Sequence, residues 1–380
     1  MAVETVHVAG ALDPLLDLVR ERAGDIERAG RLPDDVVVAL RATGIHRLAM
    51  PAALGGLQAP VLDMMAVVES IAAVDGSTAW CAVIGFGSNI FAGYLPEAGA
   101  QVVFADPDQG NATMFAPCGT LAGEGRHRRL TGRWPFASNC LHSTWIGLGA
   151  VADGDGAESI PRVAFVPMAD LTVAHTWEAA GLRGTGSHHV SASDVEVDLA
   201  QSCRFSDRPW PEGTLWRMPL YTALIPLLSA VPLGIARGAV DEISRQAREG
   251  RDARRGQLAD DPISMDELAV ADVRLRGARA GLREAVDEVS AVAERGDRVS
   301  RSLQARTMLA ALHACDVAVA VTSAAHLLGG GAAAYAGSPL LRALCDVEAA
   351  RQHLLFSHQH RPRFGAAVAG LDVAYPPFVV

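Results

Sequence analysis

The amino-acid sequence predicts an α+β protein in which helices, then β-strands, then a four-helix bundle follow one another along the chain. Two observations carry this prediction. Apolar residues recur at helical spacing over roughly the first hundred residues and again after Trp216, and short β-type runs between turn residues occupy the middle. We therefore predict an N-terminal helical domain at residues 1–108, a central β domain at 109–212 and a C-terminal bundle at 213–380.

The N-terminal segment is predicted to consist of amphipathic helices separated by Gly and Pro. The first of them has an apolar face formed by Leu12, Leu15, Leu16 and Val19. Pro33 stands where a second helix begins and Gly44 where it ends, as suits the first helical position and the residue after a helix. A further apolar helix is predicted over residues 61–74.

The central segment has the pattern of short strands. Residues 162–167 and 190–197 are rich in Val and Ala or alternate with polar residues, and Gly, Asp and Pro turns separate such runs. Their spacing predicts a small β-barrel or sandwich.

After Trp216, four long heptad-like segments predict an antiparallel helical bundle. The predicted helices cover residues 220–249, 265–295, 301–328 and 339–357. The uncharged stretch at residues 218–236 contains three prolines and is followed closely by charges, which favours a buried core helix over a membrane span. On the last helix, Asp346, Ala350 and His353 are predicted to share a face that holds the histidine against a ligand.

Composition excludes several function classes. The net charge of −10 argues against nucleic-acid or anionic-membrane partners, which require clustered cations. The chain contains no lysine, which excludes lysine Schiff-base chemistry and a P-loop lysine. Six cysteines without a CxxC pair or metal spacing, and the lack of a signal peptide, predict reduced thiols, no metal site and a cytoplasmic location.

Several short strings, in this order of elements, resemble the acyl-CoA dehydrogenase fold over almost the whole chain. They are Pro51-Ala-Ala-Leu-Gly-Gly, the glycine turn Gly329-Gly330-Gly331 leading to Tyr335, and Leu344-Cys345-Asp346, in which Cys345 replaces an arginine. The resemblance implies that Gly329, Gly330 and Asp346 contact a flavin.

The catalytic glutamate of such dehydrogenases has no counterpart here. The two positions at which the resemblance would place it are Leu354 and Leu224, and neither side chain can accept a proton. A positioned base contributes about 10²–10⁴-fold to proton abstraction, so its loss at both places argues against dehydrogenation.

Three strings are similar instead to the flavin-dependent monooxygenase branch of the fold, the oxygenase components of two-component systems. They are Trp134-Pro-Phe136-Ala-Ser138-Asn139-Cys140, Arg183-Gly-Thr-Gly-Ser187 and Asp346-Val-Glu-Ala-Ala-Arg-Gln-His353. Asn139 stands where that branch usually has glycine. The resemblance implies reduced FMN or FAD delivered by a separate NAD(P)H:flavin reductase, dioxygen as co-substrate, a flavin C4a-peroxide, a small aromatic substrate and a homotetramer.

The same resemblance implies roles for individual residues. His353 would hydrogen-bond the distal oxygens and move a proton, and Ser138 would hydrogen-bond near flavin N5. Trp134 and Phe136 would form an apolar wall that excludes water, and Ser187 would contact the cofactor. Ser138 as a simple turn former and His353 as a helix histidine without a role remain the alternatives.

Further residues are candidates for the substrate pocket or the flavin phosphate. The pocket candidates are Trp80, Ser88, Asn89 and His358. Many relatives carry a second histidine where Ser88 and Asn89 stand, while Trp80 also suits a core position and His358 a solvated helix end. Arg251 and Arg254 resemble a basic turn that holds a flavin phosphate, and a solvated charged loop is the equal alternative.

Two rival functions remain open from the sequence. One is an acyl-CoA dehydrogenase whose base has moved to Glu348 or Asp346, although Glu348 points away from the His353 face. The other is an oligomeric binding or scaffold protein that has lost flavin.

Overall fold

The computed structural model of this chain describes residue 8 and residues 10–152, 161–250, 252–253 and 256–371. The predicted α+β class is confirmed: helices precede a central β-sheet, and a helical bundle follows it. The predicted boundaries near residues 108 and 212 stay a proposal. The sheet starts with Ala112, its last strand ends with Arg204, and the first long bundle helix begins at Leu220.

The first N-terminal helix buries one apolar stripe, whereas the fourth is buried on nearly all sides. In the first, Leu15, Val19 and Ile26 are buried at helical spacing, and Gly30 ends the helix in the left-handed conformation. Asp75 caps the fourth by accepting a hydrogen bond from the Thr78 amide. The helices are α1 (Leu12–Ala29), α2 (Asp34–Ala42), α3 (Val61–Ala72), α4 (Gly76–Asn89) and α5 (Glu97–Val103).

The described strands form a seven-stranded sheet in the order β5-β6-β2-β1-β3-β4-β7 and a separate two-stranded ribbon of β8 (Asp252–Ala253) and β9 (Gly256–Gln257). The β1–β3 pair is parallel and the other pairs are antiparallel. The strands are β1 (Ala112–Ala122), β2 (His127–Ala137), β3 (Trp145–Ala152), β4 (Arg162–Pro167), β5 (Thr172–Ala174), β6 (His188–Asp198) and β7 (Ser202–Arg204). The β2–β6 register shifts between Trp134 and Ala137, at the end of β2 that carries the predicted Ser138 site.

The four predicted bundle helices are present. After a short α6 (Thr214–Arg217) they are α7 (Leu220–Arg248), α8 (Pro262–Glu294), α9 (Arg301–Leu328) and α10 (Pro339–Arg351), and α11 (Arg361–Val368) follows. By length and composition α7 and α9 could each cross a membrane. However, 89% of the most apolar segment of α7 is buried within the protein. The prediction of a buried core helix at residues 218–236 is therefore confirmed.

The last bundle helix is shorter than predicted. It ends at Arg351 rather than near residue 357, and His353 has extended backbone angles (φ −61°, ψ 137°). The His353 side chain accepts a hydrogen bond from the Leu355 amide and thereby caps a separate turn, Leu354–Phe356. Such a local side-chain bond competes with continuation of the helix. The prediction that His353 lies on the helix, on one face with Asp346 and Ala350, is wrong.

Candidate active site

Four elements bring four predicted residues together. Ser138 follows β2, Ser187 precedes β6, Trp80 lies on α4 and His353 follows α10. The Trp80 indole N–H donates to Ser138 Oγ at 3.1 Å, and Ser138 Oγ lies 2.7 Å from Ser187 Oγ. The Trp80 and His353 rings meet edge to face with centroids 5.5 Å apart. We call this group of four the hydroxyl–imidazole cluster.

His353 enters the cluster as a neutral imidazole of defined tautomer. Burial lowers the pKa of His353 to about 4, so the ring carries no charge at neutral pH. Its Nδ1 accepts the Leu355 amide hydrogen at 3.3 Å. Because a neutral imidazole has one donor and one acceptor nitrogen, Nε2 must carry the proton. His353 is partly buried, and it can offer this N–H to a ligand beside Trp80.

Behind Ser187, two residues without a predicted role continue the hydrogen-bonded chain. Thr185 Oγ1 lies 2.7 Å from Ser187 Oγ and donates to the Leu182 carbonyl at 2.7 Å. The Trp177 indole N–H donates to the same carbonyl at 2.9 Å. Thr185 lies inside the Arg-Gly-Thr-Gly-Ser string, so its position was visible in the sequence. Its contact with Ser187 was not, because the contact depends on the left-handed backbone of Gly186 between them.

The two aromatic residues of β2 do not form one wall. Trp134 is fully buried in the core of the sheet, and its indole N–H donates to the Gly149 carbonyl at 2.8 Å. Phe136 is 60% exposed and packs edge to face with Trp177. Alternation along a regular strand would place both on one side. The left-handed Phe136 backbone (φ 63°) and the register shift turn it away. Phe136 therefore remains a candidate wall, and Trp134 is a core residue.

Asp346 supports the cluster from behind rather than facing a ligand. Its side chain is buried, and Oδ1 accepts the Leu182 amide hydrogen at 2.6 Å. Burial and the neighbouring Asp75 raise the pKa of Asp346 well above its usual value. Leu182 begins the loop that carries Thr185 and Ser187, so Asp346 fixes the loop to α10. The flavin contact that the resemblance implied for Asp346 stays a prediction.

Three of the substrate-pocket candidates are buried or bound to other parts of the protein. The Asn89 amide nitrogen donates to the carbonyls of His46 and Gln109, and its oxygen accepts from Asn111, so both ends of the buried amide already have protein partners. His358 is exposed and pairs with Asp316 at 3.0 Å. Ser88 is buried near the end of α4. Partners distant in sequence thus determine where the Asn89 amide and the His358 ring point, and the substrate-pocket roles of Asn89, His358 and Ser88 stay predictions.

Two further cofactor candidates, Gly329 and Gly330, stand at the end of α9. Gly329 packs against Leu340 and Ala333, and Gly330 takes a left-handed backbone just after α9. Neither has a contact with the hydroxyl–imidazole cluster among the described interactions. Arg251 and Arg254 lie outside the described residues.

No carboxylate of the kind that a dehydrogenase needs is found in the described cluster. Leu224 is buried and Leu354 is exposed. Among the proposed relocated bases, Asp346 is bound to the Leu182 amide, and Glu348 pairs with Arg351 at 3.5 Å on the surface. The described residues therefore do not support the relocated-base hypothesis.

Comparison with known proteins agrees with this geometry. The family models of the acyl-CoA dehydrogenase N-terminal and C-terminal domains match residues 15–102 and 227–358. The chain is 31% identical to an indole-3-acetate monooxygenase of Pseudomonas putida over 95% of this chain and 93% of that protein. It is also 31% identical to the flavin-dependent monooxygenase oxygenase subunit HsaA of Rhodococcus jostii, over 90% and 92%.

A solved structure gives the same picture in three dimensions. The crystal structure of the 3-HSA hydroxylase from Rhodococcus sp. RHA1 superimposes with a TM-score of 0.91. The two chains are 28% identical, and the match covers 97% of this chain and 98% of that one.

Proposed function

This chain belongs to the acyl-CoA dehydrogenase family, on its flavin-dependent monooxygenase branch, and from that premise we propose that it oxygenates a small aromatic substrate as the oxygenase component of a two-component system. The observation that carries the proposal is the composition of the cluster. Hydroxyls, an indole and a neutral imidazole meet there, and the carboxyl group of Asp346 is bound to the Leu182 amide behind the cluster.

The residues at the cluster fit a flavin. A flat, largely apolar ring system with a polar edge needs an exposed apolar surface next to hydrogen-bonding groups. Phe136 offers such a surface, and the partly exposed Ser138 hydroxyl, two residues away, offers the polar contact. We assign both to the cofactor, with Ser187 supporting Ser138. Reduced flavin supplies the two electrons that activate dioxygen.

The overall reaction balances with these reactants. One oxygen atom of O₂ enters a C–H bond of the substrate. The other leaves as water with the two hydrogens of the reduced flavin. The protein has to position the reactants, exclude bulk water and move protons. His353 Nε2–H is the group that we assign to a hydrogen bond with the oxygen that develops negative charge, because the Leu355 amide fixes the tautomer of the neutral ring.

An aromatic substrate is supported by the walls of the cluster and by one relative. The partly buried His353 ring, held edge to face against the buried Trp80 indole, suits packing against an aromatic compound. The Pseudomonas relative is a monooxygenase of indole-3-acetate, which is aromatic. We propose a substrate of similar size, without naming it.

The proposed partners are a separate flavin reductase and further copies of this chain. An exposed apolar stripe on α8, formed by Ile263, Val270 and Val273, supports self-association into the proposed homotetramer. Light scattering of the purified protein tests it, and a monomer would contradict it. A cytoplasmic location remains a prediction.

The function is tested with the purified chain, FMN or FAD kept reduced by an unrelated reductase, ¹⁸O₂ and a panel of phenols and indoles. The expected result is a product that is heavier by one ¹⁸O atom, found by mass spectrometry only when chain and reduced flavin are both present. A parallel anaerobic arm adds acyl-CoA thioesters to the chain with oxidised FAD. Bleaching of the flavin there, with no oxygen incorporation in the first arm, would overturn the proposal in favour of a dehydrogenase.

A further inference from the structure

One contact at the buried end of the hydrogen-bonded chain sets the direction of the hydroxyl protons behind Ser138. Thr185 Oγ1 lies 2.7 Å from the Leu182 carbonyl oxygen, which can only accept, so the Thr185 proton points there. Thr185 has no second proton, so Ser187 must donate in the 2.7 Å contact between them. Ser187 is then also committed, and Ser138 must donate in its own 2.7 Å contact with Ser187.

This direction fixes what Ser138 can offer to a ligand. Its proton points to Ser187, and one lone pair of its oxygen accepts the Trp80 indole N–H at 3.1 Å. A hydroxyl has two lone pairs, so one remains. Ser187 and Thr185 are buried, whereas Ser138 is partly exposed, so the remaining lone pair belongs to the end of the chain that a ligand can reach.

We propose that Ser187 and Thr185 hold Ser138 as a hydrogen-bond acceptor, and that this orientation makes the site select reduced over oxidised flavin. The inference rests on the proposed function, which puts the reactive edge of the flavin at Ser138. N5 of reduced flavin carries a hydrogen and can donate to Ser138. N5 of oxidised flavin carries only a lone pair, and it would face the lone pair of Ser138.

The buried hydroxyls of Ser187 and Thr185 oppose a reversal of the direction in which these protons point. For Ser138 to donate to oxidised flavin, it would have to release Ser187 and leave two oxygen atoms 2.7 Å apart with no hydrogen between them. Turning Ser187 and Thr185 as well would remove the Thr185 proton from the Leu182 carbonyl, in a loop that the bond from the Leu182 amide to Asp346 fixes. Ser187 and Thr185 are therefore positioning residues that act through Ser138.

The test compares dissociation constants of the oxidised and reduced forms of the same flavin, FMN and FAD in turn. Oxidised flavin is titrated by fluorescence quenching and reduced flavin anaerobically. Ser187→Ala frees the Ser138 proton, and we expect the ratio of oxidised to reduced dissociation constants to fall roughly tenfold, the size of one hydrogen bond. That corresponds to a fall of about 30 mV in the two-electron potential of the bound flavin.

Three further variants make the result specific. Thr185→Val removes the hydroxyl that directs the Ser187 proton and should also lower the ratio of dissociation constants. Ser187→Thr keeps the hydroxyl and should keep the ratio of the unaltered protein. Ser143→Ala removes a hydroxyl of the same region that bonds to the Asn139 carbonyl and lies outside the chain, and it should leave the ratio unchanged.

The outcomes separate this inference from the proposed function. If the unaltered protein binds flavin and oxygenates substrate, but Ser187→Ala and Thr185→Val keep its ratio of dissociation constants, the inference is wrong and the function stands. If the unaltered protein binds neither form of flavin, both are wrong. If Ser143→Ala lowers the ratio as much as Ser187→Ala does, the direction of the hydroxyl chain is not the cause, and the inference also fails.

Discussion

Replacing His353 tests its role as a hydrogen-bond donor most directly, because two variants separate its two hydrogen bonds from its ring. Alanine removes both the acceptor for the Leu355 amide and the Nε2–H donor. Asparagine is a common capping residue whose oxygen can accept that amide and whose nitrogen can donate. The lost cap should lower the free energy of unfolding of His353→Ala by about 1 kcal/mol, and His353→Asn should retain most of it.

The effect on the reaction follows from the lost donor. A hydrogen bond to a charged or developing anionic group contributes about 1.5–3 kcal/mol, or roughly 10–150-fold in a rate. The assay measures hydrogen peroxide released per oxygen consumed, with reduced flavin and substrate in excess. We expect His353→Ala to convert most of the oxygen consumed into peroxide, and His353→Asn to lie between it and the unaltered protein. Equal peroxide yields for all three would refute the role of His353.

The pH dependence provides an independent check on the same residue. The pKa of His353 is lowered from 6.5 to about 4, so between these values the unfolded chain binds more protons than the folded one. The contribution of His353 to the free energy of unfolding is therefore complete above about pH 6.5 and is lost as the pH falls towards 4. Peroxide release should accordingly be constant from pH 6 to 8 in the unaltered protein. A break near pH 6.5 that His353→Asn abolishes would contradict the burial argument.

Further predictions concern the supports of the site. Asp346→Asn keeps an acceptor for the Leu182 amide and removes a desolvated acid, so its free energy of unfolding in urea should match or exceed that of the unaltered protein. Asp346→Ala should lose about 1–3 kcal/mol, and equal values for the two would contradict this. Phe136→Ala should weaken flavin binding roughly tenfold with little change in stability. Trp134→Ala should lower the free energy of unfolding by about 3–5 kcal/mol. The reverse pattern would contradict the assignment of Phe136 to the flavin and of Trp134 to the core. Gly181→Ala should destabilise the fold by about 3 kcal/mol or more, because a Cβ there would lie 1.9 Å from the Cys345 carbonyl oxygen. Gly277→Ala on the open face of α8 should gain about 0.5–1 kcal/mol, and a similar loss in both would refute the steric argument.

The order of elements could be predicted from the sequence because periodicity reports burial directly. α7 illustrates this: an uncharged apolar run became a helix that is buried almost all round. The missing acids at Leu224 and Leu354 could also be identified from the sequence, because an apolar side chain cannot act as a base in any fold.

The sequence did not predict side-chain positions that depend on one local hydrogen bond or on one backbone angle. Spacing alone put His353 on the face of Asp346, and a single bond from its own ring to Leu355 ended that extrapolation. Alternation alone put Trp134 and Phe136 on one side of β2, and a left-handed Phe136 separated them. Asn89 was a pocket candidate from its position in the sequence alone, and its three hydrogen-bond partners, all distant in sequence, became visible only in the structure.

Trp80 contacts both Ser138 and His353 and is almost completely buried. Its fluorescence should therefore report whether flavin is bound at the site. An isoalloxazine arriving at Ser138 would quench that light by energy transfer. Subtracting the spectrum of Trp80→Phe isolates one signal from the six indoles of the chain. Occupancy could then be followed in real time without labelling.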